Sequence, residues 1–288
     1  MTSIYRRAVL LLLVQAGLGV CVGTAAQPSA PPVALSCGEM EIFLKTATIE
    51  RQRRIPVGVT DPMRATLKSA TLRHDAAIQT TDITRPTFAT SRGMELNFRD
   101  SWKFNVAGYE VAKLLELNMV PPYVARTVAG TAASVSWWVN DAMMERDRIH
   151  RKISPPDPVE WNSQMYAVRL FHDLIGDTDF NATNILITRD WRVWMIDFSR
   201  AFRRTTTIHH ADRLKHVDRR LLSRLRQLTR ETLQQKTRRW LTTPEIEALL
   251  ARRALIVGIL EKEIAASGEA AVFYELGRAA EPCGAGLD

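Results

Sequence analysis

The stretch from Asn184 to Asp197 constrains the fold more than any other part of the chain. It reads Asn-Ile-Leu-Ile, then Thr188-Arg189-Asp190, then Trp191 to Ile196, and it ends on Asp197. Two short apolar runs separated by turn-forming polar residues predict an antiparallel hairpin. A hairpin returns the chain to its starting end, so Asn184 before the first strand and Asp197 after the second emerge together. Upstream, Trp161, Met165, Val168, Phe171, Leu174 and Ile175 recur at helical spacing, and Gly176 is placed to end that helix. The loop from Asp177 to Asn184 therefore carries Asp179 to the same end of the hairpin.

An aspartate and an asparagine five residues apart, with a second aspartate after the hairpin, suit phosphoryl transfer. That chemistry needs a carboxylate to orient the attacking hydroxyl and oxygen ligands to hold magnesium against nucleotide phosphates. The D-x-x-x-x-N spacing alone recurs by chance in many chains. The apolar strand after Asn184, and the one running into Met195-Ile196-Asp197-Phe198, make it far more specific. The plainer alternative is a polar turn beside a surface hairpin. Asp177-Thr178-Asp179 also has the D-x-D form of manganese-dependent glycosyltransferases, but that reading leaves Asn184 and Asp197 without roles.

The rest of the chain supports an α+β organisation with strands first and helices later. Glu41 to Thr48 reads as a strand, followed by a basic turn, Arg51 to Arg54, and the glycine-containing loop Val57-Gly58-Val59-Thr60. Ala65 to Leu67 and Ala76 to Thr80 are short strand candidates. Arg85 to Asp100 is polar and broken by Pro86 and Gly93, which predicts an irregular segment. Val106 to Leu117 has helical periodicity, stopped at Pro121-Pro122. Tyr123 to Val128 and Ala133 to Val139 form a strand pair around Gly130. From Ala211 onward the pattern is helical, with breaks at Thr242-Thr243-Pro244 and Ser267-Gly268. The expected division is a leader over 1–26, a flexible segment over 27–40, a strand-rich lobe over 41–140 and a helical lobe over 141–288.

With 46% hydrophobic and 24% charged residues, an ordered globular protein is expected rather than a disordered one. Arg6 and Arg7 precede an apolar run from Ala8 to Val22, and Thr24-Ala25-Ala26 offers small residues for cleavage before Gln27. This is the pattern of an export signal; an uncleaved anchor is the alternative, and a lipid on Cys21 is disfavoured by Val20 before it. No other stretch is long and apolar enough to span a bilayer, so the mature chain is expected to be periplasmic or secreted. Export removes Cys21 and leaves Cys37 and Cys283, which would either bridge or stay as two thiols.

Arg203 to Trp240 holds twelve basic residues against three acidic ones, on a chain whose net charge is +8. Interleaved with Leu214, Leu221, Leu222, Leu225 and Leu228, these residues form amphipathic helices with a solvated basic face. A second use would be attraction of an acidic partner. Nucleic acid is not expected, because no aromatic series accompanies the charges. His209-His210 reads as a solvated turn rather than a metal site. Asn181-Ala182-Thr183 has the form of a glycosylation sequon inside the loop that holds Asp179, which suits a bacterial source that does not use it.

Leu174-Ile-Gly-Asp-Thr-Asp-Phe-Asn-Ala-Thr-Asn184 and Trp194-Met-Ile-Asp-Phe-Ser-Arg-Ala-Phe202 resemble the atypical kinase-like families. These include the phosphatidylinositol 3- and 4-kinase-like proteins, the HipA-like kinases and the secretory-pathway kinases. Tyr109 to Pro122 and Trp137-Trp138-Val139 resemble a bacterial group within them, and the resemblance spans about Glu41 to Phe202. It implies a two-lobed protein-kinase-like fold, with Asp179 as catalytic aspartate and Asn184 and Asp197 as ligands of Mg2+ or Mn2+. It further implies that Val57 and Gly58 belong to a loop covering ATP or another nucleotide, and that Val139 to Asp141 form the hinge beside its base.

Two positions depart from that family. Gln79 stands where a phosphate-holding lysine is expected, and Asn105 where its glutamate partner is expected. A neutral Gln79–Asn105 pair supplies no positive charge, which leaves Lys68 or Lys103 as possible substitutes. The sequence thus supports an exported phosphotransferase acting on an unidentified protein or small-molecule hydroxyl acceptor. The alternatives are a pseudokinase used as a binding module and an enzyme transferring the nucleotide itself.

Overall fold

The computed structural model describes residues 35–55, 62–90, 93–208 and 211–277. The leader, Val57, Gly58, His209, His210 and Cys283 lie outside the described residues. Cys37 is disulfide-bonded, and its partner cysteine also lies outside them.

The strand-rich part begins with a helix, α1 (Cys37–Thr46), not the strand expected over Glu41 to Thr48. Ser36 and Glu39 form a reciprocal capping box that satisfies the free amides of the first turn. Met40, Phe43 and Leu44 are then buried on one face. The helix thus includes Cys37 to Met40 of the segment expected to be flexible. The predicted basic turn is strand β1 (Thr48–Arg54), followed by β2 (Met63–Lys68) and β3 (Arg73–Gln79). The segment expected to be irregular is a long hairpin, β4 (Asp82–Thr90) and β5 (Gly93–Ser101), paired only with itself. Next come α2 (Trp102–Leu114), β6 (Tyr123–Val128) and β7 (Thr131–Trp137), and the sheet runs β1-β2-β3-β7-β6. It is antiparallel throughout, with Ala76 opposite Trp137 and Ile78 opposite Val135.

The second part contains β8 (Met143–Met144), α3 (Glu145–His150), α4 (Pro158–Ile175), β9 (Ile185–Ile187) and β10 (Val193–Met195). Helices α5 (Arg219–Gln227), α6 (Arg230–Thr237), α7 (Thr243–Ser267) and α8 (Glu269–Val272) follow, with β11 (Val217–Asp218) and β12 (Phe273–Tyr274) as a short parallel pair. The expected hairpin is β9–β10, with Val193 opposite Ile187 and Met195 opposite Ile185. It sits between two cores. Val193 and Met195 pack with the helices, whereas Trp194, on the opposite face of the same strand, packs with the sheet residues. This is why a three-residue strand is apolar throughout.

The leucines of α5 and its neighbours, Leu221, Leu222, Leu225 and Leu233, are buried. Several of the basic residues beside them meet acids from elsewhere in the chain: Arg219 with Glu269, Arg224 with Glu116, Arg226 with Glu261 and Arg230 with Glu247. Among the described residues no helix is long and apolar enough to cross a membrane.

Candidate active site

Helix α4 starts on Asp157, whose carboxylate accepts from two free amides, and ends at Gly176 in the left-handed conformation (φ 61°). The buried guanidinium of Arg252, from α7, lies against Gly176 and donates to the carbonyls of Leu174, Arg203 and Thr205. Burial lowers the Arg252 pKa to about 10, opposed by the charge of Asp173. One cation thereby ties the end of α4 to the segment that follows Phe202.

The loop after Gly176 is shaped by its own side chains. Asp177 Oδ2 lies 2.8 Å from His172 Nδ1, and Asp177 Oδ1 accepts from the Asp179 amide at 2.9 Å. Asn181 donates to the Asp179 carbonyl at 2.7 Å and accepts from the Thr183 amide at 2.8 Å. Asn184 Nδ2 reaches the same Asp179 carbonyl at 3.4 Å, and the Asn184 carbonyl accepts from Ile196 at 2.9 Å. Asn181, the residue of the glycosylation sequon, is thus spent on holding the loop.

A cavity of about 410 Å³ opens between the sheet and the helical part. Ala77, Gln79 and Ser134 line it from the sheet, Trp138 and Val139 from the connection after β7, and Asn184 and Asp197 from the two ends of the hairpin. Four of the residues singled out in the sequence, Gln79, Val139, Asn184 and Asp197, therefore face one space. Val139 is buried, and its amide has no hydrogen-bond partner among the described residues. Asp179 does not line this cavity. It lines a neighbouring one of about 860 Å³, walled by the end of α4, the β4–β5 hairpin and Arg200.

Asp197 has a left-handed backbone (φ 58°), which turns it away from the line of β10. Its amide donates to the Tyr123 hydroxyl at 3.3 Å. The close walls strip water from its carboxyl and push its pKa up to about 6; hydrogen bonds from Ser199 oppose this, and the nearby charges of Asp100 and Asp177 add to it. Among the described residues no three His, Cys, Asp or Glu side chains cluster as a ready-made metal site. The Asp197 carboxylate and the Asn184 carboxamide are nevertheless hard oxygen donors. They suit magnesium or manganese, which keep waters and phosphate oxygens and need few protein ligands. A partly desolvated carboxylate, with no cation in salt-bridge contact among the described residues, is what such an ion would stabilise.

Gln79 and Asn105 meet directly, the Asn105 amide donating to the Gln79 carboxamide oxygen. Asn105 Oδ1 also accepts from the Phe198 amide at 2.6 Å. Lys68 and Lys103 do not replace the missing lysine: Lys68 pairs with Glu50 and Lys103 with Asp82, and neither lines the cavity. The one basic residue among its described lining is Arg64, on β2 opposite Ala77. Arg64 is held by Asp75 at 2.6 Å and lies over the Trp138 ring. Sequence reading passed over Arg64, which has no motif signal. It also passed over Arg200, whose Nη1 is 3.7 Å from Asp179 and whose Nε is 3.0 Å from Asp100. The signal for Arg200 lay in the Asp197-Phe-Ser-Arg200 run.

Comparison with solved structures finds kinases among the similar chains. The chain superposes on hydra Fam20, solved with a sugar, with TM-score 0.61 at 12% identity over 83% of this chain and 92% of that one. It matches a Golgi casein kinase with TM-score 0.59 at 14% identity, over 84% of this chain and 78% of the other. The Helicobacter pylori proinflammatory kinase CtkA gives TM-score 0.51 at 8% identity, over 78% and 98%. Neither protein-family models nor curated proteins yield a match. At these identities the likeness shows the fold, which is that of the atypical kinases: a sheet-rich N-terminal part and a helical C-terminal part with a cavity between them.

Proposed function

We propose that the chain is an exported kinase-like phosphotransferase that holds a nucleotide, with magnesium or manganese, in the cavity between sheet and helices. The observation that carries this is the division of the loop and hairpin from Asp179 to Asp197 between two spaces. Asn184 and Asp197 face the first cavity, while Asp179 faces the second. In this reading the base lies along Trp138 and Val139, where the Val139 amide is free to donate. Asn184 and Asp197 would hold the ion, which when bound would supply positive charge against the phosphates. Asp179 accepts the proton of an acceptor hydroxyl as its oxygen bonds to the terminal phosphorus and the bond to the bridging oxygen breaks. The leader over 1–26 and the disulfide at Cys37 support export, since disulfides persist in oxidising compartments.

The test is titration of ATP into the purified mature protein with and without magnesium or manganese. Metal-dependent binding is expected at millimolar nucleotide or below, and its absence overturns the reading. The neutral Gln79–Asn105 pair favours a second reading, a nucleotide-binding module without transfer. In that case wild type and Asp197→Ala are equally inert toward labelled ATP, whereas transfer lost on that substitution assigns an enzyme. Intact mass of a modified acceptor separates an added phosphate from an added nucleotide.

A further inference from the structure

The second cavity has features that its share in the Asp179 loop does not require. His172 is nearly fully buried in its wall and stacks on Phe180. Its Nδ1 is committed to Asp177, and its Nε2 has no hydrogen-bond partner. With the ring proton on Nδ1, donated to Asp177, the carboxylate of Asp177 is held in the wall and Nε2 is enclosed there as a buried acceptor without a donor.

Three arginines line the same space; Arg200 is committed to Asp100 and Asp179, and the other two are not paired with an acid among the described residues. Arg169, on α4, contacts the Tyr166 ring and has no carboxylate partner among the described residues. Arg213, which is exposed, has none either. The four acids around them face other cations or rings: Glu95 with Arg203, Asp173 near Arg252, Asp177 with His172, and Asp179 near Arg200. The β4–β5 hairpin closes one side and is pinned to the helical part by Glu95–Arg203, Asp100–Arg200 and Arg99–Glu245. The result is a walled cavity of about 860 Å³, within the range of small-molecule sites.

We infer that this cavity binds a small alcohol that carries an anionic group. The hydroxyl end meets Asp179, and a phosphate or carboxylate meets Arg169 and Arg213. The assignment of Asp179 to the hydroxyl rests on the phosphotransferase reading; the anion site does not.

Calorimetric titration of the mature protein with glucose 6-phosphate, glucuronate, neutral glucose and an acidic serine-containing peptide tests this. Glucose 6-phosphate or glucuronate is expected to bind at least tenfold more tightly than glucose, and the better of the two identifies the anion. Arg169→Ala and Arg213→Ala, each checked for an intact thermal transition, are expected to weaken that binding tenfold or more. Arg213 is exposed, so its variant keeps the test available if Arg169→Ala is unstable. Equal binding of glucose, binding of the peptide alone, no binding of either anion, or insensitivity to both substitutions overturns the inference. ATP with magnesium is titrated separately. Its failure alongside anion binding removes the nucleotide reading and leaves this one standing, whereas the reverse removes only this one.

Discussion

The side-chain amide of Asn105 donates to the carboxamide oxygen of Gln79, and the other end of the Asn105 side chain receives the amide of Phe198. A buried neutral pair thereby links β3, α2 and the backbone beside Asp197. In a kinase fold this place is expected to hold a lysine and a glutamate, whose charge would reach the nucleotide. Here the pair keeps the architectural link and gives up the charge. Asn105→Leu leaves the Phe198 amide buried without its acceptor and takes a donor from the Gln79 oxygen; the first loss alone costs about 1–3 kcal/mol. Denaturant unfolding is expected to show a stability loss of at least that size. Gln79→Leu, which leaves the Phe198 contact intact, is expected to cost less.

Asp197 sets function against stability. Its carboxyl is raised to about 6, mainly by burial, compared with about 3.9 for an unfolded aspartate. Keeping it ionised therefore costs nothing below the unfolded value, costs progressively more as pH rises between the two, and costs the full amount above about 6. Asparagine removes the charge and suits the left-handed backbone. Asp197→Asn is expected to raise metal-free stability at pH 7.5 by roughly 1–3 kcal/mol, with little effect near pH 4. The same substitution is expected to abolish metal-dependent nucleotide binding. A destabilised variant at pH 7.5 contradicts this account of the site.

Gly108 lies where α2 passes closest to the residue after Asp197. A Cβ built there would sit 2.6 Å from Phe198 Cδ2, far inside normal contact. Phe198 is fully buried against Tyr123 and Phe171, so it has little room to give. Gly108→Ala is expected to cost about 1–3 kcal/mol, as overpacked cores do. Because Phe198 follows Asp197, nucleotide affinity measured with magnesium is expected to fall more than affinity without it. Equal falls would mean that the strain is absorbed away from the site.

The sequence showed the hairpin end of the site and hid its opposite wall. Asn184 and Asp197 were legible because β9 and β10 are apolar on both faces, as expected of a ribbon lying between two cores, and their ends are fixed by strand pairing. Helix α1 was misread because Glu-Ile-Phe-Leu-Lys-Thr-Ala-Thr mixes β-branched and charged residues, while the deciding signal, the Ser36–Glu39 capping box, stood just upstream. The β4–β5 hairpin was missed because it pairs only with itself. Its Met94 and Leu96 are exposed, and Pro86 faces Asn97, whose backbone is left-handed (φ 52°), at the one gap in the ladder, so the usual alternation never forms. Its role comes from three ion pairs to residues a hundred or more positions away, which no local pattern encodes. The second cavity was hidden for the same reason.

Glu245 and Asp100 are the two most deeply buried acids of those anchors. Glu245 is almost fully buried, accepts from the Thr242 amide at 2.7 Å to start α7, and meets Arg99 of β5. Glu245→Gln keeps a capping oxygen for Thr242 but removes the charge facing Arg99, leaving a partly buried guanidinium that still lies over the Phe104 ring. Removing one partner of a buried pair is strongly destabilising, about 3–5 kcal/mol at the upper end. Arg99 is only partly buried, so a loss of roughly 1–3 kcal/mol is expected. Arg99→Met removes the other partner and exposes the same coupling. A double-mutant cycle over Arg99 and Glu245 is expected to return an interaction energy of at least 1 kcal/mol. Hydrogen exchange is expected to rise across β4 and β5 in both single variants while the β9–β10 hairpin stays protected. Uniform loss of protection across both hairpins would instead make the ion pair part of the global core and not a local anchor.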